Sequence, residues 1–262
     1  MISRARPESN PSIIHVPGST VLLLALINAC LLTGCATLPG PADPDDPFER
    51  YNRAMYSFND SVDRAVVKPV AKAYVAVVPK PVNKGITNFF GNLDDMVVLI
   101  NDVLQFKLFQ AASDTGRILA NSTLGLLGFV DVATPMGLRK HNEDFGQTLG
   151  RWGIGSGPYL VLPFFGPSSP RDGIGLFVDY TRFDPTINLV DEVATRNSML
   201  VLDIIDTRAG LLSTGRLLAV AALDPYTFTR EAYMQRRQHL VYDGNPPDED
   251  FDDFEDESST KD

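Results

Sequence analysis

Cysteine and histidine are scarce in this chain. Among 262 residues there are two cysteines, Cys30 and Cys35, and three histidines, His15, His141 and His239. No cysteine–histidine cluster is possible in the body, so a structural zinc site, a cysteine nucleophile and a disulfide framework are excluded. Positive charge is also in deficit: 23 Lys and Arg stand against 33 Asp and Glu, a formal net charge of −10. A phosphate-backbone binder needs a basic face, so nucleic acid is not an expected partner. Strand signals are few, with no Asn-Gly hairpin pair and no extended alternation of branched residues. No nucleotide-binding signature occurs, and no cofactor is implied.

What is present is unevenly distributed. Hydrophobic residues make up 44% and charged residues 21%, enough apolar material for a sizeable core and too much for global disorder. Ten of the acids lie between Asp243 and Asp262, where Lys261 is the one base. The acidity therefore belongs to the tail, and the body is close to neutral. That charge density predicts a disordered acidic tail over 243–262.

The first segment reads as an address. Arg4 and Arg6 form a basic start, and Val21–Leu32 is a 12-residue apolar run, too short to span a bilayer as a helix. It ends in Leu32-Thr33-Gly34-Cys35, which resembles the lipobox of bacterial lipoproteins. Small residues let a signal peptidase reach the backbone, and the Cys35 thiol is free to take an acyl anchor. Residues 1–34 are thus expected to be a lipoprotein signal peptide and 35–46, rich in Pro and Asp, a tether. Ala36, rather than Asp, after the cysteine implies sorting to the outer membrane. Each buried methylene contributes about 0.8 kcal/mol, so several acyl chains make attachment effectively permanent.

The body, 47–242, reads as helical. Phe48, Tyr51, Met55, Phe58, Val62 and Val66 step by three or four from a start at Asp46-Pro47 and stop at Pro69. A second stripe follows through Val82, Ile86, Phe89, Phe90 and Leu93, a third through Met96, Val97, Ile100, Val103 and Leu104, and a fourth from Phe109 to Leu119. Residues 191–222 predict one or two long helices, and Pro225 opens a last one reaching about Tyr242. The fold class expected is all-α. Two stretches break the pattern. Trp152 to Pro170 holds 19 uncharged residues but carries Gly153, Gly155, Gly157 and Gly166 with four prolines. Leu124 to Val130, continuing to Gly137, is likewise apolar and broken by glycine. Irregular backbone cannot face lipid with its N–H and C=O groups unpaired, so these stretches are buried in protein or line a cavity. Two arrangements fit the residues alone: a soluble domain with long core loops, or a body seated within a bilayer around an interior passage.

Nucleophilic chemistry is poorly supported. Gly155-Ser156-Gly157 suggests a nucleophile elbow, but Ile154 stands where the pattern requires glycine. His141 lies near Glu143 and Asp144, the usual setting of a solvated loop histidine. A lipid hydrolase and a purely structural or adhesive lipoprotein are the competing function classes.

From Asp46 onward the order of short segments is more telling than any one of them. Asp46-Pro47-Phe48-Glu49, Asn52-Arg53, Phe58-Asn59, Asn88-Phe89-Phe90 and Asn92-Leu93 come first. Arg117 with Asn121-Ser122-Thr123-Leu124-Gly125 follows, then Gly128-Phe129-Val130-Asp131-Val132-Ala133 and Glu143 through Gly150. Gly157 through Pro163, Gly166-Pro167-Ser168, Arg171-Asp172, Asp224-Pro225-Tyr226 and Arg230-Glu231-Ala232-Tyr233 complete the series. Over about residues 46–242 the chain resembles the MlaA (VacJ) family of outer-membrane lipoproteins. It departs at Lys68-Pro69, where the family usually has Arg-Pro.

The resemblance implies a ring-like helical bundle embedded in the outer membrane beside a trimeric porin. It implies a non-enzymatic function: passive extraction of mislocalised phospholipid from the outer leaflet through an amphipathic pore, and transfer to a periplasmic lipid-carrier protein. It also implies a mobile pore hairpin, placed at Leu124–Leu138, with Gly125, Gly128 and Gly137 as hinges and Phe129 and Val130 as apolar lining. If Cys35 carries the anchor, Cys35→Ala should abolish palmitate incorporation and move the protein from the detergent phase to the aqueous phase on phase partition.

Overall fold

A computed structural model describes residues 46–215 and 222–247. The expected signal peptide, Cys35, the expected tether up to residue 45 and the tail from 248 onward lie outside the described residues. Helix α1 (Glu49–Val62) runs through a π-turn (Asp63–Val67) into α2 (Lys68–Val77); α3 (Lys80–Leu104) and α4 (Leu108–Thr123) follow. After the segment 124–144 come α5 (Phe145–Arg151), a two-stranded hairpin of β1 (Leu160–Leu162) and β2 (Gly166–Ser168), and α6 (Pro170–Val178). A second π-turn (Asp179–Phe183) leads to α7 (Pro185–Leu189), α8 (Val193–Gly210) and α9 (Pro225–Val241). The strands are antiparallel, with Val161 opposite Pro167.

Several sequence expectations are corrected in detail. Pro69 does not stop the first helix. The preceding turn widens, so that Lys68 N–H reaches back five residues to Asp63 C=O, and the ring of Pro69 is accommodated one residue later. The same spacing recurs at Asp179 and Pro185, where Asp184 N–H bonds to Asp179 C=O at 2.8 Å and the helix then ends. The second and third apolar stripes are one 25-residue helix, α3. The glycine-rich stretch 152–170 holds the small hairpin rather than loop alone, within a fold that is otherwise helical. Asp46 does not cap α1 with its side chain; it is buried. Elsewhere the cap-then-proline signal works as the sequence suggests. Ser169, Asp184 and Asp224 each accept a backbone N–H of the first turn, and each is followed by proline.

The elements pack in a closed circuit. α1 lies on the β-hairpin, the hairpin on α9, α9 on α5, and α5 on α6. The second π-turn and α7 then lead to α8, which packs on α2 and so returns to α1. α3 lies along the arc from α5 to α8, with α4 packed against it. The α5–α6 crossing is a backbone contact: a Cβ on Gly175 would stand 2.3 Å from the nitrogen of Gly146.

Polar bonds close the circuit. The apolar cluster among the described residues is small, with Tyr159, Val161 and Tyr226 at its centre and Met55, Tyr56, Tyr233 and Met234 around it. At its edge the fully buried Asn52 donates to Asp46 Oδ1 (2.9 Å) and to Tyr159 C=O (3.0 Å), and accepts from Val161 N–H (2.8 Å). The Tyr226 hydroxyl donates to Asp46, tying the start of the described chain to its last helix. Arg237 on α9 reaches Asp144 and Asp172. On the opposite side Asp206 of α8 accepts from Tyr74, Asn83 and Thr87 at 2.7–3.0 Å, and Arg208 makes a two-pronged pair with Asp63.

Asn52→Ala leaves the Val161 N–H and the Tyr159 carbonyl buried without their partner. It should lower stability by about 2–4 kcal/mol, read as a reduced urea midpoint.

Candidate functional site: a polar-anchored apolar turn

Helices α3 and α4 face one another along polar stripes. The buried positions of α3 are Asn92, Asp95, Val98, Asn101 and Asp102, and those of α4 are Ala111, Asp114, Arg117, Ala120 and Asn121. Both sets step by three or four, the helical period, but most of the side chains are polar. Several apolar residues of these helices point outward: Val103, Phe109 and Leu119 are exposed, Phe109 almost completely.

The segment after α4 is held from this polar stripe. Asn121 Oδ1 accepts from Val132 N–H (2.9 Å) and Ala133 N–H (3.0 Å), and its amide donates to Asp131. Arg117, itself buried, bonds to Thr134 Oγ1 (3.2 Å), Leu138 C=O (2.6 Å) and Asp95 Oδ2 (3.3 Å). Asp131 accepts from Thr134 through both N–H and hydroxyl, which hold its carboxyl below the ordinary value against the opposing effect of burial. Further along, Lys140 donates to Gly91 C=O and pairs with Asp94 and Asp95.

Above these anchors the turn is apolar and outward. Leu124, Leu126 and Leu127 are each about 70% exposed, and Met136 is exposed as well. Phe129 stacks on Phe89 at 5.1 Å, and its carbonyl accepts from Asn88. The three glycines do different work. Gly125 has no room for a side chain, since a Cβ would lie 2.0 Å from Val130 C=O. Gly128 has φ +93° and would drive a Cβ to 2.6 Å from Asn92 Cβ. Gly137 has φ +86° with nothing within 4 Å, so only its backbone conformation calls for glycine. Phe129 and Val130 are half-exposed beside one another.

Sequence patterning located the turn but missed what holds it. Arg117, Asn121, Asp131 and Asp95 carry the anchoring, and the usable signal was their helical spacing on two adjacent helices. The structure also corrects His141: it is not a free loop side chain, since Nδ1 lies 2.8 Å from Oδ2 of the fully buried Asp114. Ser156 Oγ is buried and, among the described residues, has no hydrogen-bond partner, so it lacks the base that activates a serine.

Among the described residues no group of three or more potential ligands could hold a metal ion, and no helix is long and apolar enough to cross a membrane. Among the described residues, buried side chains are polar more often than apolar, 19 against 10, while 35 large hydrophobic residues are exposed. Apolar side chains on the outside are tolerated in water when scattered, and a lipid phase accepts them without cost.

The sequence profile of the MlaA lipoprotein family matches residues 44–240. The chain belongs to this family. It is 38% identical over 223 residues to the intermembrane phospholipid transport system lipoprotein MlaA of Escherichia coli (strain K12), covering 83% of this chain and 87% of that protein. The protein of the same name from Haemophilus influenzae is 37% identical over 229 residues, covering 85% and 91%. A solved structure described as the structural basis for maintenance of bacterial outer membrane lipid asymmetry superposes with a TM-score of 0.65. It is 34% identical and covers 75% of this chain and 98% of that one. The polar-anchored turn therefore sits on an MlaA fold.

Gly137→Ala should cost about 1–2 kcal/mol, the left-handed penalty alone. Gly128→Ala should cost clearly more, because the clash with Asn92 is added. Paired urea titrations of the two variants check the order.

Proposed function

We propose that this chain is an outer-membrane lipoprotein that draws mislocalised phospholipid out of the outer leaflet and passes it toward the periplasm, maintaining lipid asymmetry. The single observation that carries the reading is the inverted burial of the body, polar within and apolar without. A phospholipid leaving a bilayer needs a polar route for its head group while its tails stay in an apolar phase. A ring of helices with an oily outer surface and polar side chains turned inward supplies both. The names of the E. coli and H. influenzae relatives support the same conclusion.

The sequence carries no nucleotide signature, so movement through this chain is passive and follows the lipid's chemical potential. The acyl anchor at Cys35 keeps the body at the membrane. The turn 124–138 acts as the gate of an amphipathic pore. Gly125, Gly128 and Gly137 are its hinges. Phe129 and Val130 line the passage. A trimeric porin flanks the ring, and a soluble periplasmic carrier takes the lipid onward across the aqueous gap. A lipid hydrolase is the weaker reading, because among the described residues Ser156 Oγ has no hydrogen-bond partner.

Reconstitution tests this. In vesicles with labelled phospholipid in one leaflet, the protein with a lipid acceptor should deplete the outer-type leaflet several-fold faster and yield intact lipid. Equal depletion of both leaflets would contradict directional extraction. Release of lysolipid or fatty acid would instead establish a hydrolase.

A further inference from the structure

Two buried carboxyl groups meet where the end of α3 and the start of α4 lie beneath residues 139–144. Asp102 and Asp114 are both fully buried. Neither oxygen of Asp102, nor Oδ1 of Asp114, meets a hydrogen-bond donor among the described residues. Asp114 Oδ2 is taken by His141 Nδ1 at 2.8 Å. Glu143, also buried, is fully engaged by Gln105 Nε2 (2.9 Å), Lys107 Nζ (2.8 Å) and Gln110 Nε2 (2.9 Å). Ionised carboxylates only accept hydrogen bonds, so two of them facing one another without a donor repel at high cost in a dry site. The neighbouring residues do not form a metal-holding group. A proton is the particle that supplies the missing donor.

We propose that Asp102 and Asp114 share one proton, and that this proton fastens residues 139–144, the strand leaving the apolar turn, to helices α3 and α4. The inference concerns the anchoring of that strand and stands whether or not the turn gates lipid. Burial first, then the facing Asp114 and Glu143, push the Asp102 carboxyl up to about 8, with Lys107 opposing. The groups that face it are Asp114 from α4, Lys107 from the α3–α4 turn, and Glu143 from the segment above. Beyond them His141 rests on Asp114, and Asp243 pairs with Lys107 at 2.5 Å. When the shared proton leaves to a base in solvent, the pair becomes a dicarboxylate beside Glu143. The repulsion falls on the two acids, Asp114 and Glu143, that hold His141 and the strand's own backbone in place.

The sign of the pH dependence follows from linkage. The raised carboxyl keeps its proton in the folded chain while the unfolded chain loses it, so this site's contribution to stability falls as pH rises from about 4 to about 8 and levels off above. Asp102→Asn has the same shape and a permanent N–H donor toward Asp114.

With the full acylated protein in detergent, infrared spectroscopy at pH 7 should show a protonated-carboxyl stretch that vanishes at pH 10 and is missing from Asp102→Asn. The variant should match the native Tm near pH 4 and exceed it by about 3 °C or more at pH 8. Hydrogen exchange over 139–144, corrected for its intrinsic pH dependence, should accelerate several-fold through pH 8 in the native protein and stay flat in the variant. No protonated-carboxyl band at pH 7, a band unchanged by the substitution, or a variant less stable than native at pH 8 would each overturn the proposal. If Asp102→Asn does not fold, the native band and its loss at pH 10 decide.

Discussion

A polar side chain taken out of water must find a partner, and in this protein that requirement decides where the helices sit. Leaving one buried donor or acceptor unpaired costs about 1–3 kcal/mol. Asn52 answers for Asp46 and for the backbone of β1; Asp206 collects three donors from two helices; Arg237 joins Asp144 to Asp172. Most of these bonds join elements distant in sequence, and each is directional. A fold specified in this way keeps its shape with little help from an apolar centre. Its apolar residues are thereby released to face outward.

That division links architecture to function. Hydrocarbon adds no driving force between helices in a lipid phase, so contacts there rest on packing and on hydrogen bonds. The bond-rich seams of this ring suit that environment, and the outward Val, Leu and Phe residues suit its surroundings. The apolar turn after α4 shows the same design on a small scale. Its backbone is fastened from below by Arg117 and Asn121, while three leucines stand exposed above. Strain at Leu126 and Leu127, both with positive φ, is held in place by Gly125 and Gly128, which let the chain double back closely.

Much of this was legible in the sequence, and the gaps have physical causes. Helical period, cap-then-proline starts and the glycine-broken turn were all readable, because each depends on local geometry. The direction of the stripes was not. In α3 and α4 the apolar residues read as a core face, yet Asn92, Asp95, Asp102, Asp114 and Arg117 turn inward. Period alone reports that a helix has two faces and is silent on which solvent each one meets. Pro69 reads as an interruption because the widened turn that absorbs it depends on the residues before it. Gly125, Gly128 and Gly137 looked equivalent in sequence and differ only in what surrounds them. His141 reads as solvated beside Glu143 and Asp144 because its partner, Asp114, lies 27 positions earlier.

The central claim is that the turn at 124–127 meets lipid rather than water. The most direct measurement places a single tryptophan there, Leu126→Trp in a Trp152→Phe background, in bilayers containing brominated phospholipid. Strong quenching by the brominated chains with weak quenching by aqueous acrylamide is the predicted result. Quenching by acrylamide with none from the brominated lipid would contradict it.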